Sequence, residues 1–420
     1  MQASGDPSER GIDAVEVKPT WGRHLVGIDG LRGLAAAGVL LAHTRDIISP
    51  GADLGPFTPV LAIAAQGLTL FFAISGFLLY RPFASALISG RNHPHLGRYA
   101  LNRALRIYPA YIFVLLIVSL LLGTANAAPL SPEIDARVDR VGFLPNPGLL
   151  LLNATMLQTF FPISMQTGIG VAWSLTVELV FYVVMPLAAA GVWMLWRRGS
   201  IIAALVPAVA LLALGILTRL FAYPLYAGLS GTEARVAEWG ATWTAVLARS
   251  FPYHAHLFAF GMMAAVALEY LRTRPPTPIY ARPTAIVIAF AAAAGTRFAG
   301  PAADTLWAMA FGALLFFVAC PSRTGSAPSS ARALDSPPFR YTGLVSYSIY
   351  LWHASVIWLV IRFGIIVPGD SPGAFWANVA IVFGVSLALS SGTYFLVERP
   401  ALRLKTRTRQ PDTKPLPTDA

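Results

Sequence analysis

Of 420 residues, 56% are hydrophobic and 12% charged, and the mean hydropathy is +0.61. A soluble domain of this size carries about twice that share of charge on its surface, so the composition excludes a soluble globular protein and places the chain in a bilayer. The one cysteine, Cys320, excludes an internal disulfide and a cysteine-based zinc site; the net charge of +11 is spread in short basic clusters between apolar runs, which points to loop anchoring and not to nucleic acid.

In chain order, residues 1–24 are polar and of mixed charge, and they are expected to form a disordered cytoplasmic tail. They lack the apolar stretch and cleavage site of a signal peptide. The first apolar run, LRGLAAAGVLLAHTRDIIS near 31–49, holds Arg32 and His43. Eleven residues at 100° each amount to three turns and about 20°, so the two side chains share one face, about 16 Å apart along the axis. Asp29 lies within i,i+3 reach of Arg32. An ionisable residue at mid-bilayer costs roughly 2.5–3.5 kcal/mol on insertion scales, so this span is expected to be sheltered by other helices. Two readings of the pair stand. Arg32 is an interfacial anchor and His43 a structural polar residue, or Arg32 meets a phosphate and His43 takes a proton from a hydroxyl, a task suited to its ordinary pKa.

Further spans are predicted near 57–80, 105–123, 172–196, 200–221, 250–271, 283–299, 303–320, 342–366 and 374–397, which makes ten with the first. Most reach the roughly 20 residues that cross about 30 Å of hydrocarbon as helix. Before the third span, LNRALRIYPAY sets Arg103 and Arg106 one turn apart, as a clamp for phosphate or carboxylate or as interfacial anchors. The run 147–161 is short and proline-flanked and reads as re-entrant or interfacial. The fourth span, VAWSLTVELVFYVVMP, buries Glu178, which either pairs with an arginine or orients a histidine. His254 and His256 in the sixth span have no carboxylate at ligand spacing and point different ways on a helix, so no metal is expected. The small-residue loop 321–338 reads as a flexible connector, and His353 in SYSIYLWH as a packed, hydrogen-bonded histidine. Residues 403–420 read as a basic disordered tail after a membrane domain spanning 25–402.

Alternating the spans from an inner N-terminus places Arg81, Arg91, Arg98, Arg103 and Arg106, then Arg197 and Arg198, then Arg272, Arg274 and Arg282, on one side with both tails. That excess predicts an all-α polytopic bundle of about ten transmembrane helices with both termini cytoplasmic. No internal repeat announces a two-fold transporter architecture.

The stretches GIDGLRGLAAAGVLLAH, GLTLFFAISGFLL, LNRALRIYPAY, WSLTVELVFYVVMP, VSYSIYLWH and YFLVERP, in this order, resemble the acyltransferase 3 family of membrane acyltransferases. The resemblance covers roughly Val26 to Leu402. It implies a ten-helix enzyme that takes an acyl group, commonly from cytoplasmic acyl-CoA, and places it on a hydroxyl of a sugar, glycolipid or related acceptor. It implies Arg32 and His43 as the family's arginine–histidine pair, Arg103 and Arg106 as its arginine pair, and Glu178 as the acid of its tryptophan-serine-leucine motif. Many relatives carry a second Glu after that acid; this chain has Leu179, so a role needing two adjacent carboxylates is not carried over. The expected chemistry uses acyl-CoA as co-substrate with no permanently bound cofactor: Arg103, Arg106 and Arg32 on the phosphates, His43 as base and Glu178 balancing a cation. The rival from another class is a secondary transporter or flippase that uses the same intramembrane charges.

Overall fold

The computed structural model describes residues 25–127, 141–274, 277–322 and 326–407; the expected N-terminal tail and residues from 408 onward lie outside them. Among the described residues the chain is helical apart from an antiparallel ribbon that pairs Asn126–Ala127 with Val141–Gly142. The helices, in chain order, are α1 (Ile28–Ile48), α2 (Thr58–Ala64), α3 (Gly67–Ser89), α4 (Leu96–Leu116), α5 (Pro147–Ala154), α6 (Trp173–Leu195), α7 (Ile201–Tyr226) and α8 (Gly231–Trp239). There follow α9 (Trp243–Ala248), α10 (Phe251–Arg272), α11 (Ala281–Gly295), α12 (Ala303–Ala319), α13 (Ser329–Leu334), α14 (Pro337–Arg362), α15 (Pro372–Thr393) and α16 (Arg399–Arg407).

Among the described residues eight segments, carried by α3, α4, α6, α7, α10, α12, α14 and α15, are long and apolar enough to cross a membrane, which makes this a multi-pass membrane helix bundle. The difference from the ten expected spans lies in α1 and α11. At 21 residues α1 has the length, but Asp29, Arg32, Arg45 and Asp46 make it too polar to face lipid. It is instead enclosed by α3, α14, α15 and the short α2, with buried residues on all its sides. At 15 residues α11 is about 22 Å long and falls short of the hydrocarbon thickness, and two 3₁₀ turns continue it towards α12. The run 147–161 is no span: α5 has eight residues, starts on an Asn146 side-chain cap and gives way to 3₁₀ turns.

Close backbone approach builds the bundle interior. On α14 a Cβ at Gly343 would lie 2.0 Å from the Asp29 carbonyl oxygen of α1, and at Gly261 of α10 it would lie 1.9 Å from the Ala73 carbonyl oxygen of α3. Any side chain at either position pushes the helices apart, as at small-residue seams of membrane helices. Around the second crossing Phe258 stacks on Phe181, with ring centroids 4.2 Å apart, and packs on Phe72 at 4.7 Å. The expected flexible connector 321–338 is in part ordered packing: it contains α13, whose Ala331 is buried against Gly27, and α14 already starts at Pro337. Likewise, helix α16 carries the chain to Arg407, past the expected tail boundary at 403.

At the far end of α14, Arg362 donates to the carbonyls of Leu122, Gly123 and Val141 at 2.7, 2.8 and 3.0 Å. One guanidinium thus closes the turn after α4 and the ribbon beside it. Arg362→Leu is expected to lower stability by about 3 kcal/mol, because partly buried carbonyls lose a charged donor; thermal unfolding in detergent measures the loss.

Candidate active site

Three helices bring charge to one interior cavity. Its empty space is about 710 Å³ including the mouth, and its polar wall contains Arg32 of α1, Ser75 of α3, Arg106 of α4, Ser174, Glu178 and Tyr182 of α6, and Tyr347 and Tyr350 of α14. The rest of the lining is apolar: Leu68, Phe71, Phe72, Ile74, Leu78, Leu79 and Leu175. Two guanidiniums and one carboxylate thus share the cavity with a largely apolar lining.

Each charge is held by a specific neighbour. Arg32 reaches Asp29 at 4.0 Å, with its side chain 24% exposed, and both Glu178 and Arg106 are close enough to act on it electrostatically. Glu178 accepts a hydrogen bond from the Ser75 hydroxyl. Arg106 donates to Glu398 at 3.4 Å and lies over the Tyr347 ring at 5.9 Å. The Tyr347 hydroxyl in turn donates to the Ile107 carbonyl at 2.9 Å, which fixes α14 against α4 next to Arg106. Ser174 and Tyr350 share a 2.6 Å hydrogen bond at the cavity wall.

Of the residues singled out in the sequence, Arg32, Arg106 and Glu178 line this cavity and Arg103 and His43 do not. The Arg103 guanidinium lies 5.9 Å from the centre of the ring of Tyr182, a lining residue, and its Nε has no hydrogen-bond partner among the described residues. His43 lies beyond Tyr350: its ring centroid is 5.2 Å from that of His353, which is 5.5 Å from that of Tyr350. His43 Nδ1 is 2.9 Å from the Val39 carbonyl and His353 Nδ1 is 2.7 Å from that of Tyr350. A carbonyl only accepts, so each neutral ring carries its proton on Nδ1 and presents an Nε2 lone pair. His353 is fully buried and hydrogen-bonded through Nδ1, as expected, and its Nε2 has no partner among the described residues.

His254 donates through Nε2 to the Ala248 carbonyl at 2.8 Å and packs on Trp173 at 5.2 Å, and the buried His256 ring is turned elsewhere on the same helix. Among the described residues no three His, Cys, Asp or Glu side chains gather as metal ligands. Sequence reasoning missed Ser75, Ser174, Tyr350 and Glu398. All four lie inside motifs that stood out, and the available signal was a polar side chain within an apolar run.

The fold and cavity define a polytopic membrane protein with an interior cavity to which two arginines and a glutamate contribute. A family model described as an acyltransferase domain matches residues 25–395, and the chain belongs to this acyltransferase 3 family. It is a membrane acyltransferase, transferring groups other than amino-acyl groups. The chain is 26% identical over 401 residues to nodulation protein 10 of Rhizobium leguminosarum bv. viciae, covering 91% of this chain and 95% of that one. It is 26% identical over 352 residues to exopolysaccharide production protein ExoZ of Rhizobium meliloti, covering 81% and 90%. To peptidoglycan O-acetyltransferase OatA of Listeria monocytogenes it is 22% identical over 352 residues, covering 80% of this chain and 50% of the other. No solved structure matches the chain.

Proposed function

We propose that the protein moves an acyl group from acyl-CoA to a hydroxyl of a carbohydrate, glycolipid or related acceptor of the cell envelope, working in the plasma membrane with both termini cytoplasmic. The observation that carries this reading is the convergence of Arg32, Arg106 and Glu178 from three helices on one cavity with an apolar wall. The names of the relatives, an exopolysaccharide production protein and a peptidoglycan O-acetyltransferase, favour a carbohydrate acceptor.

The donor's phosphates meet Arg106 and Arg32 at the cavity and Arg103 beside Tyr182, where guanidinium–phosphate contacts supply both charge and geometry. The pantetheine arm runs along the apolar wall towards Tyr350. Tyr350 and His353 stand between this cavity and His43, so the Tyr350 ring has to swing aside for the thioester to meet the acceptor hydroxyl beside His43, whose Nε2 then removes the hydroxyl proton as the oxygen attacks the thioester carbon. The tetrahedral adduct collapses by breaking the carbon–sulfur bond, and the proton held by His43 passes to the departing thiolate. Glu178 balances the two cavity guanidiniums, which would otherwise repel each other.

Incubating the purified protein with acetyl-CoA and envelope carbohydrate tests the reaction class through release of free CoA thiol. Thiol release that depends on the acceptor is expected. Uptake of a substrate into vesicles with the thioester intact is the result a transporter would give. Comparative mass spectrometry of envelope glycans and lipids with and without the protein then names acyl group and acceptor together.

A further inference from the structure

We propose that Glu398 is a positioning residue for the donor-binding guanidinium of Arg106; the inference rests on the acyl-CoA reading above. Helix α15 does not run smoothly into α16: Tyr394–Glu398 form a π-helical turn, a distortion found frequently at functional sites. The additional residue in this turn changes the facing of the chain, and the Glu398 side chain, 1% exposed, is directed inward. Two contacts fix it there. Ser348 of α14, itself fully buried, donates to Oε1 at 2.5 Å, and Arg106 of α4 donates through Nη1 to Oε2 at 3.4 Å.

Arg106 needs such a holder. Arg32 is near enough to repel it, and Glu178 is hydrogen-bonded to Ser75. Without a carboxylate behind it, Arg106 would turn towards the mouth and away from Arg32. With Nη1 bound to Glu398 and its side chain in the cavity wall, its other N–H groups stay available to an anion. A buried ion pair adds little net stability compared with apolar packing, so holding the side chain in one orientation is the better account of the Glu398–Ser348 arrangement.

The test uses the full-length protein in lipid nanodiscs and compares Glu398→Gln with Glu398→Asp. Glu398→Gln keeps the shape and loses the charge. It is expected to raise the Kd for CoA and the KM for acetyl-CoA about tenfold, the size of one charge-assisted contact, with kcat changed less than about twofold. Glu398→Asp recovers most of that loss. In the Arg106→Ala background Glu398→Gln adds nothing further, as coupled residues require. Ser348→Ala, which leaves both charges in place, is expected to raise KM about threefold and serves if Glu398→Gln fails to fold. An unchanged KM in Glu398→Gln, or in Ser348→Ala should that variant be needed, overturns the role, as does an effect of equal size with and without Arg106. Wild-type protein that binds no CoA removes the donor reading and this role together, whereas CoA-binding protein with unaltered variants removes the role alone.

Discussion

His43→Ala is expected to reduce acyl transfer about 1,000-fold, the middle of the range for a lost general base, while leaving the protein folded in the membrane. The imidazole is half-buried; its Nδ1 bonds only to the carbonyl one turn earlier in its own helix, and its ring touches His353. Removing it opens a small space and breaks no contact that ties two helices by a hydrogen bond, so the stability loss is expected near about 1 kcal/mol. His43→Gln sharpens the result, because an amide keeps the bond to Val39 and has no lone pair basic enough to take a proton. Rates of CoA thiol release, set beside thermal unfolding of the same samples, measure both quantities. A variant that unfolds as wild type and transfers at the wild-type rate removes His43 from the chemistry.

Arg106→Ala is expected to act twice, and Arg103→Ala only once. Removing the Arg106 guanidinium raises the KM for the donor about tenfold to a hundredfold, the value of one charge-assisted contact to phosphate. It also leaves Glu398 buried without its cation, which lowers stability by on the order of 3 kcal/mol. Arg103 has no carboxylate within ion-pair distance among the described residues and lies 5.9 Å from the centre of the Tyr182 ring, so its loss is expected to weaken donor binding with little change in unfolding. Donor titration and thermal unfolding of the two variants side by side give the comparison. Equal destabilisation by both would contradict the distinct surroundings assigned to them.

Much of the fold was legible because lipid leaves few options. Hydropathy and length alone place the segments of α3, α4, α6, α7, α10, α12, α14 and α15. The sheltered position of α1 was legible too, since Arg32 and His43 within one apolar run demand neighbours. The length of α11 was not, because Arg297 and the 3₁₀ turns around Gly300 follow an apolar run that gives no sign of where helical hydrogen bonding stops. Nor was the packing of 326–336, whose composition resembles a linker but whose α13 seats Ala331 on Gly27.

At the site, helical periodicity placed Arg32 and His43 on one stripe, but it could not show that Tyr350 and His353 stand between the cavity and His43. Those neighbours come from α14, and no local pattern in α1 encodes them. Glu398 is a sharper case. Read locally, it follows the last apolar run and precedes Arg399 and Pro400; its partner Arg106 is 292 residues away in the chain, and the π-helical turn Tyr394–Glu398 ends on it. Long-range pairing of single buried charges follows from the packing of three helices together, which no stretch of one helix contains.

If a thioester is opened in this bundle and its acyl group passes to a hydroxyl beside His43, CoA release and ester formation must move together. Purified protein in nanodiscs, given isotopically labelled acetyl-CoA and envelope carbohydrate, is expected to release CoA in step with label appearing as ester on the carbohydrate, and both signals disappear in His43→Ala. Carbohydrate that stays unlabelled while the thioester remains whole, or label that appears equally without the His43 imidazole, would contradict it.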